Sequence, residues 1–237
     1  MAYELYYWTG IQGRGEYIRL ALEAAGAPYR DVAREDGDGV IARVSKEVAT
    51  PSFAPPFLRD GDVVVGQVAA ILLYLGDKLD LAPKASRQKL WTHQIQLTIA
   101  DFVLEGHDVH HPIGAGEYYE NQKPESQRRA REFREERVPK FLDWFEGILT
   151  RNPEGPAHLV GDRLSYADLS LFQVMDGLTY AFPKLMSGLG ERYPSVRALC
   201  SAVAEHPKIG AYLASKRRLP GNEHDLFRHY PELDGRR

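Results

Sequence analysis

The chain has 237 residues, 43% of them apolar, which is enough to bury the core of one large domain or two smaller ones. Its formal net charge of −3 at pH 7 and its pI near 6.3 argue against a general nucleic-acid binder, because such proteins present a basic face. Cys200 is the single cysteine, no signal peptide is recognisable and no apolar run approaches the ~18 residues of a membrane helix, so we expect a cytoplasmic protein that has no internal disulfide and no membrane partner.

The first part of the chain predicts a small mixed α/β layer with the element order β-α-β-α-β-β-α. Short runs rich in Tyr or Val indicate strands, and the pair Asp60-Gly61 between two such runs is a strong hairpin signal. The two helical crossovers imply parallel pairing, to which the hairpin adds an antiparallel edge. The predicted elements are strands at 3–8 and 29–33, helices at 14–25 and 68–79, a short helix within 34–52 and a hairpin at 57–65.

After a linker at residues 80–84 the pattern becomes helical, with prolines marking the breaks. Ser165-x-x-Asp168 before an apolar run predicts a capping box that begins a buried helix, a structural rather than a catalytic role. We expect an α/β domain at 1–81, an all-helical domain at 87–218 and an extended surface tail with few apolar anchors at 219–237. The predicted helices of the second domain lie at 87–111, 124–151, 166–183, 194–203 and 207–216.

Three segments carry a family resemblance: YELYYWTGIQGRGEYIR at 3–19, PPFLRDGDVVVGQVAAILLYL at 55–75 and LVGDRLSYADLSLF at 159–172. Together they resemble the cytosolic glutathione transferases of tyrosine type, the alpha, mu, pi and sigma classes, and look like a bacterial or fungal member. The resemblance implies a thioredoxin-like first domain and a helical second domain. It also implies a homodimer that joins glutathione, its co-substrate, to hydrophobic electrophiles without a metal.

Within this resemblance Tyr7 is the residue whose phenol donates a hydrogen bond to the glutathione sulfur. A free thiol has a pKa of about 8.5, and such a donor stabilises the reactive thiolate at neutral pH. Arg14, at the start of the following helix, would add a nearby positive charge. The alternative is that Tyr7 only packs on the sheet and that Arg14 is an ordinary surface residue.

The turn after Tyr7 departs from the family pattern. The spacing from Tyr7 to Gly13 is one residue longer than in the family, and Trp8 occupies the usual position of the tyrosine. An extra residue within 9–12 reconciles the two patterns. Tyr6 is the weaker candidate, because strand alternation turns it to the opposite face.

The remaining glutathione contacts implied by the resemblance are Trp8, Pro55, Pro56, Gln67, Val68 and Asp101. Pro56 corresponds to the cis-proline that presents the preceding backbone to the peptide, although Pro55 has no N–H to donate. Gln67 and Val68 stand at a helix N-terminus that would bind the γ-glutamyl carboxylate, but Val68 lacks the hydroxyl of the usual serine. Asp101 would reach this group from the partner subunit.

The resemblance places the co-substrate pocket between the first turn, at Trp8 to Gly10, and the helical domain near His107, His111, Tyr118 and Tyr119. His107, His110 and His111 could instead present a metal site, although no second ligand cluster accompanies them. Phe53 corresponds to an aromatic residue that some classes insert into the partner subunit; alternatively it packs under its own loop.

Other functions stay open from the sequence. The same fold could bind glutathione or an apolar ligand without turnover, which the departures at Pro55, Val68 and the first turn favour. Glutathione-dependent reduction or isomerisation ranks last, because disulfide exchange would require a cysteine at the Tyr7 position. Cys200 lies among apolar helical residues and is predicted to be a buried core residue.

Overall fold

The computed structural model describes residues 2–235, and its first domain is a four-stranded sheet with helices on both faces. The strand order is β2-β1-β3-β4, in which β1 and β2 pair in parallel while β1–β3 and β3–β4 pair antiparallel. The elements are β1 Tyr3–Tyr6, α1 Gly15–Ala25, β2 Tyr29–Asp31, α2 Val32–Asp36, α3 Gly39–Glu47, β3 Phe57–Asp60, β4 Val63–Gly66 and α4 Val68–Lys78.

The prediction of parallel pairing through both crossovers is wrong for the second crossover. The register pairs Tyr6 with Phe57 and Leu5 with Asp31, so β2 ends and β3 begins at the same end of the sheet. The short helices α2 and α3 return the chain to that end instead of carrying it across, and β3 therefore runs against β1. The predicted hairpin at Asp60-Gly61 is confirmed, with Asp60 paired to Val63.

Strand alternation divides the first domain into two hydrophobic cores. Leu5 and Leu58 face α1 and α4 and belong to the large core, which continues into the helical domain. Tyr6 and Phe57 face α2 and α3 and belong to a second, smaller core. Consecutive residues at the end of β1 therefore point to opposite faces, which decides where Tyr6 and Tyr7 lie.

The second domain is all helical in the described residues, as predicted. The predicted helix at 124–151 is one run interrupted by a π-helical turn at Phe133–Arg137, and the helix that starts at Pro183 was not predicted because the proline was taken as a break. Proline is tolerated in the first helical turn, where its missing N–H has no intrahelical partner. The helices are α5 Ser86–Asp108, α6 Lys123–Glu132, α7 Val138–Arg151, α8 Tyr166–Ala181, α9 Pro183–Leu189, α10 Pro194–Glu205 and α11 Pro207–Leu213.

The capping box predicted at Ser165 and Asp168 is present at the start of α8. Asp168 Oδ2 accepts the Ser165 N–H at 2.7 Å and its hydroxyl at 2.8 Å, while Oδ1 accepts the Leu159 N–H at 2.8 Å. This buried carboxylate fixes both the helix start and the preceding loop. As a result α8 packs centrally, against α1 of the first domain and against α5 and α10 of the second.

The described part of the tail, 219–235, contains no helix or strand but is firmly anchored. Leu226, Phe227 and Leu233 are buried, and Phe227 packs over Gly106 and Gly177, where a larger side chain would overlap its ring or crowd it. Within residues 2–235 no helix has the length and apolar character needed to span a membrane.

Candidate active site

Tyr7 directly follows β1 and lies buried against the start of α1. Its hydroxyl oxygen accepts the Arg14 N–H at 2.9 Å, and its ring packs on Gly13 and Gly15, where any side chain would overlap the ring. Gly13 also has a φ of +48°, a conformation that glycine adopts without steric cost. Because the Arg14 amide fills only an acceptor position, the phenol proton stays available for another partner.

The surroundings of Tyr7 keep its hydroxyl protonated. Burial raises the pKa of Tyr7, and this effect outweighs the opposing influence of the Arg14 amide and its positive charge. The group is therefore a hydrogen-bond donor at neutral pH and not a phenolate. A buried neutral phenol with a free proton is suited to stabilise an anion beside it.

The neighbours of Tyr7 in the sequence are placed differently. Tyr6 stacks on Phe57 with ring centroids 4.5 Å apart, and its hydroxyl donates to Glu4 at 2.9 Å on the opposite face of the sheet. Trp8 is 43% exposed. Tyr7, and not Trp8, lies against Gly13, which is the arrangement expected if the extra residue falls within 9–12.

Gln12 is the centre of the first turn, and the sequence analysis did not single it out. Its carbonyl accepts the Glu16 N–H and Arg19 Nη1, both at 3.1 Å. Its side-chain oxygen accepts Gln173 Nε2 at 2.9 Å and its side-chain nitrogen donates to the carbonyl of Leu219 at 2.5 Å. These side-chain partners are 161 and 207 residues away, so no local sequence pattern reveals them.

A buried ion-pair network supports the start of α1 behind Tyr7. Glu16, which is fully buried, accepts hydrogen bonds from Arg19 at 3.2 Å, from the Tyr212 hydroxyl at 2.8 Å and from Arg218 at 2.9 Å. Arg19 also donates to Asp31 at 2.6 Å. The helix that carries Arg14 is thereby tied to the sheet, to α11 and to the chain beyond it.

The glutathione-binding residues implied by the resemblance lie at the start of β3 and at the start of α4. The Pro55–Pro56 peptide bond is cis, as the resemblance implied, and leads into β3. Gln67, with a φ of +65°, precedes α4 and its carbonyl accepts the Ile71 N–H. Arg14, Gln67 and Val68 line one cavity of about 390 Å³ that lies between α1, α4 and α5.

Three residues that line this cavity each have a buried polar atom with no hydrogen-bond partner within residues 2–235. These atoms are the hydroxyl of Tyr17, Nδ1 of His93 and Oε1 of Gln96. An unpartnered buried polar atom costs about 1–3 kcal/mol, so the cavity favours a ligand that carries polar groups. Asp101 is exposed on α5 and does not line this cavity.

The three histidines near the end of α5 form a close cluster. Ring centroids of His107, His110 and His111 are 4.7–5.1 Å apart. Burial lowers the pKa of all three, that of His110 to about 3, so neutral rings are favoured at pH 7. Among residues 2–235 no group of three or more His, Cys, Asp or Glu side chains is arranged to hold a metal ion.

The predicted co-substrate residues are brought only partly together. His107 and His111 stack, and the His111 ring contacts the carbonyl of Glu117 at 3.1 Å. Tyr118 is 77% exposed, and the Gly10 carbonyl accepts the side-chain amide of Asn222 from the tail. The tail therefore crosses the region between the first turn and the histidines.

Phe53 and Cys200 complete the predicted residues. Phe53 is 99% exposed, so the alternative that it packs under its own loop is wrong. Burial raises the pKa of the Cys200 thiol to about 12, which makes it a poor nucleophile at neutral pH.

Comparison with known proteins finds similarity to glutathione S-transferases. The profile of the glutathione S-transferase C-terminal domain matches residues 107–216. Glutathione S-transferase of Plasmodium falciparum is 25% identical over 219 residues, which cover 89% of this chain and 95% of the relative. Glutathione S-transferase P 1 of Xenopus laevis is 27% identical over 217 residues, or 91% and 93% of the two chains. Both relatives are named glutathione S-transferase, and the similarity extends over most of this chain.

Solved structures agree on the fold. The Pi-class glutathione S-transferase of Onchocerca volvulus gives a TM-score of 0.70 at 22% identity and covers 90% of this chain and 92% of its own. Prostaglandin synthase D of Nilaparvata lugens gives 0.72 at 23% identity, covering 93% and 100%. The predicted thioredoxin-like domain followed by a helical domain is thus confirmed. The relatives named here come from animals and parasites, so a bacterial or fungal origin stays a prediction.

Proposed function

We propose that this protein is a tyrosine-type glutathione transferase in which Tyr7 stabilises the glutathione thiolate. The observation that carries the proposal is the buried Tyr7 hydroxyl, which accepts the Arg14 amide and keeps its own proton free. The thiol proton leaves to solvent, and the sulfur then accepts the Tyr7 O–H hydrogen bond. The thiolate attacks an electrophilic carbon, and the leaving group departs with the electron pair of the broken bond.

The γ-glutamyl end of glutathione would occupy the cavity beside α4. Its carboxylate would bind at the N-terminus of α4, where Gln67, Val68 and Arg14 meet, because unpaired N–H groups and the helix dipole favour an anion there. Its ammonium group would donate to Gln96 Oε1, which is buried at the cavity wall. The cysteinyl unit would run along Pro55 and Pro56, where Pro55 offers a carbonyl but no N–H.

The test compares Tyr7→Phe with Tyr6→Phe, a matched loss of one hydroxyl from the opposite face. Conjugation of glutathione to an aryl halide is measured at steady state, and glutathione affinity is measured by calorimetry. We expect Tyr7→Phe to lower kcat at least about tenfold, or ~1.4 kcal/mol of barrier, with binding retained. Tyr6→Phe should keep its rate; equal rates for wild type and Tyr7→Phe would contradict the role of Tyr7.

We also propose a homodimer, because several large apolar side chains are exposed on α5 and in the loop before β3. Leu90, Leu97 and Leu104 recur every seventh residue on one face of α5 and are 48–71% exposed. Phe53, 99% exposed, would enter the partner, and burial of its ring contributes about 1.5–3 kcal/mol per site. A dimer would bring the partner's Asp101 towards the γ-glutamyl group. This agrees with the observation that Asp101 does not line the cavity of its own chain. One structural neighbour, Na-GST-3 of Necator americanus, is described as monomeric, so the state requires measurement.

Light scattering on the full chain tests this assembly. Wild type is expected at twice the mass of one chain, and Phe53→Ser should shift the equilibrium towards the monomer. Ile113→Ser is the control, since Ile113 is also exposed but lies beyond α5 in another part of the helical domain. A monomeric wild type at micromolar concentration would contradict the proposal.

A second candidate is a protein that binds glutathione without turnover. The specific observation is that tail residues contact Gly10, His110 and Tyr119, which border the predicted co-substrate region. Calorimetric binding of glutathione with no conjugation across a panel of electrophiles would favour this candidate. Glutathione-dependent reduction would instead require thiol chemistry that Cys200, on α10 and with its raised pKa, does not offer.

A further inference from the structure

The tail places a carboxylate on the first turn, next to Tyr7. Asp225 is 5% exposed; its Oδ2 accepts the Gln12 N–H at 2.9 Å and its Oδ1 accepts the Gly13 N–H at 2.8 Å. Oδ1 also accepts the N–H of Leu226 at 2.6 Å. The same turn receives Asn222, which donates to the Gly10 carbonyl at 3.0 Å. Asp225 thus accepts hydrogen bonds from two consecutive main-chain N–H groups just before Arg14.

These two amides determine where the Arg14 N–H points. Gly13, whose N–H binds Asp225, directly precedes Arg14, and the Arg14 N–H is the group that binds the Tyr7 oxygen. The turn is one residue longer than the family pattern, so fixing it in one conformation costs more conformational entropy than fixing a shorter turn. Without Asp225, two buried N–H groups would lack their acceptor, at a cost of about 1–3 kcal/mol each, and the turn would rearrange to reach water.

We propose that Asp225 is a positioning residue for the Tyr7–Arg14 pair, and that the chain's own tail thereby sets the reactivity of the bound thiol. The role in reactivity rests on the proposed transferase function. The positioning of the turn does not, because it involves only groups of this chain. Asp225 acts through the amides of Gln12 and Gly13, without a contact to the substrate.

The tail offers its own matched control at its other end. Asp234 accepts the N–H groups of Lys184 at 2.9 Å and Leu185 at 3.3 Å, at the start of α9. Like Asp225, it is a buried carboxylate that accepts hydrogen bonds from two consecutive main-chain N–H groups of a distant segment. It lies away from the first turn, so Asp234→Asn weakens the tail's attachment by a comparable change without touching Tyr7. Phe227 and Leu226 keep the tail anchored in either variant.

The direction in which the pKa of the bound thiol changes separates a positioning role of Asp225 from a purely electrostatic one. Removing a negative charge near the sulfur would, by itself, favour the thiolate and lower the pKa of the bound thiol. Loss of the Arg14 contact to Tyr7 misdirects the phenol proton, which disfavours the thiolate and raises that pKa. Asp225→Asn keeps the size of the side chain and replaces one acceptor oxygen by a donor. It therefore removes one of the two hydrogen bonds to the first turn with little change in packing.

The experiment compares wild type, Asp225→Asn and Asp234→Asn as full-length proteins. Hydrogen exchange of the peptide that covers residues 8–14 is followed by mass spectrometry without glutathione. The pKa of bound glutathione is followed by thiolate absorbance, and kcat and KM are measured for conjugation. For Asp225→Asn we expect faster exchange at 8–14, a raised thiol pKa and kcat reduced about tenfold with KM for glutathione changed less than about threefold. Asp234→Asn should match wild type in all three.

Three results would overturn the proposal: unchanged exchange at 8–14 in Asp225→Asn, a lowered thiol pKa in that variant, or equal effects from Asp234→Asn. Failure of the transferase function itself has a different signature. Wild type would then bind glutathione without forming thiolate, or would not bind it at all. In that case the exchange comparison, which needs no glutathione, still decides whether Asp225 positions the turn.

Discussion

Acid should destabilise this protein through one buried imidazole, His110. The ring follows α5, is 2% exposed and contacts the Leu226 carbonyl through Nε2 at 3.1 Å. A carbonyl only accepts, so Nε2 carries the proton of the neutral ring, and Nδ1 has no partner within residues 2–235. Protonation would place a buried charge at Nδ1 with nothing to receive it. Burial, followed by the nearby charge of Arg228, lowers the pKa of His110 to about 3.

The magnitude follows from proton linkage. The unfolded ring titrates near 6.5 and the folded ring near 3, so between these values the unfolded state binds the extra proton. Stability is therefore fully present above pH 6.5 and is lost as pH falls towards the folded pKa. From pH 6.5 to 5.0 the loss attributable to His110 is about 2 kcal/mol, at ~1.4 kcal/mol per pH unit.

Urea unfolding of wild type and His110→Gln at pH 7 and pH 5 measures this contribution. The Gln amide can donate to the Leu226 carbonyl but does not titrate, so the variant should lose about 2 kcal/mol less than wild type over this interval. His107 and His111 are present in both proteins and their contributions largely cancel in the difference. His224→Gln, an exposed substitution on the same tail, is the control and should keep the wild-type pH dependence. Equal pH dependence in wild type and His110→Gln would refute the reasoning.

Two further predictions concern the contacts behind the active site. Glu16→Ala leaves the buried Arg19 without one of its two carboxylate partners and should lower the free energy of unfolding by about 3–5 kcal/mol; a loss below ~1 kcal/mol in urea titration would contradict the network. Gly177→Ala places a methyl group where the Phe227 ring lies, so we expect about 1–3 kcal/mol of destabilisation and faster hydrogen exchange of the tail. Gly188→Ala, a helical position with nothing within 4 Å, is the control and should be neutral or stabilising.

The parts of the fold that were predicted correctly carry local signals. The hairpin is marked by Asp60-Gly61, and the start of α8 by Ser165 and Asp168, each within a few residues of the structure it specifies. The long helices follow from apolar periodicity alone. The cis bond before Pro56 came from family resemblance, since no local chemistry distinguishes this proline from others.

The parts that were missed depend on distant partners. The direction of β3 is set by how α2 and α3 pack, which the periodicity of two short polar segments does not reveal. Gln12 looks like an ordinary turn residue, yet its position is decided by Gln173 and by the main chain at Leu219. The burial of Tyr119 likewise depends on the tail, whose Tyr230 stacks on Tyr119 with centroids 3.9 Å apart.

The tail shows most clearly why composition misleads about the candidate site. A segment with two prolines, two glycines and several charges is expected to be solvent-exposed, because charged side chains are rarely buried without partners. Here the partners are main-chain amides: Asp225 accepts two from the first turn and Asp234 accepts two at the start of α9. Such charge-assisted bonds are about twice as strong as neutral ones. Asp225 and the turn at Gly13 are separated by 212 residues, so the contact exists only in the folded chain. The tail thereby holds the first turn in place. We expect substitutions in either segment to change the position of Tyr7 relative to Arg14.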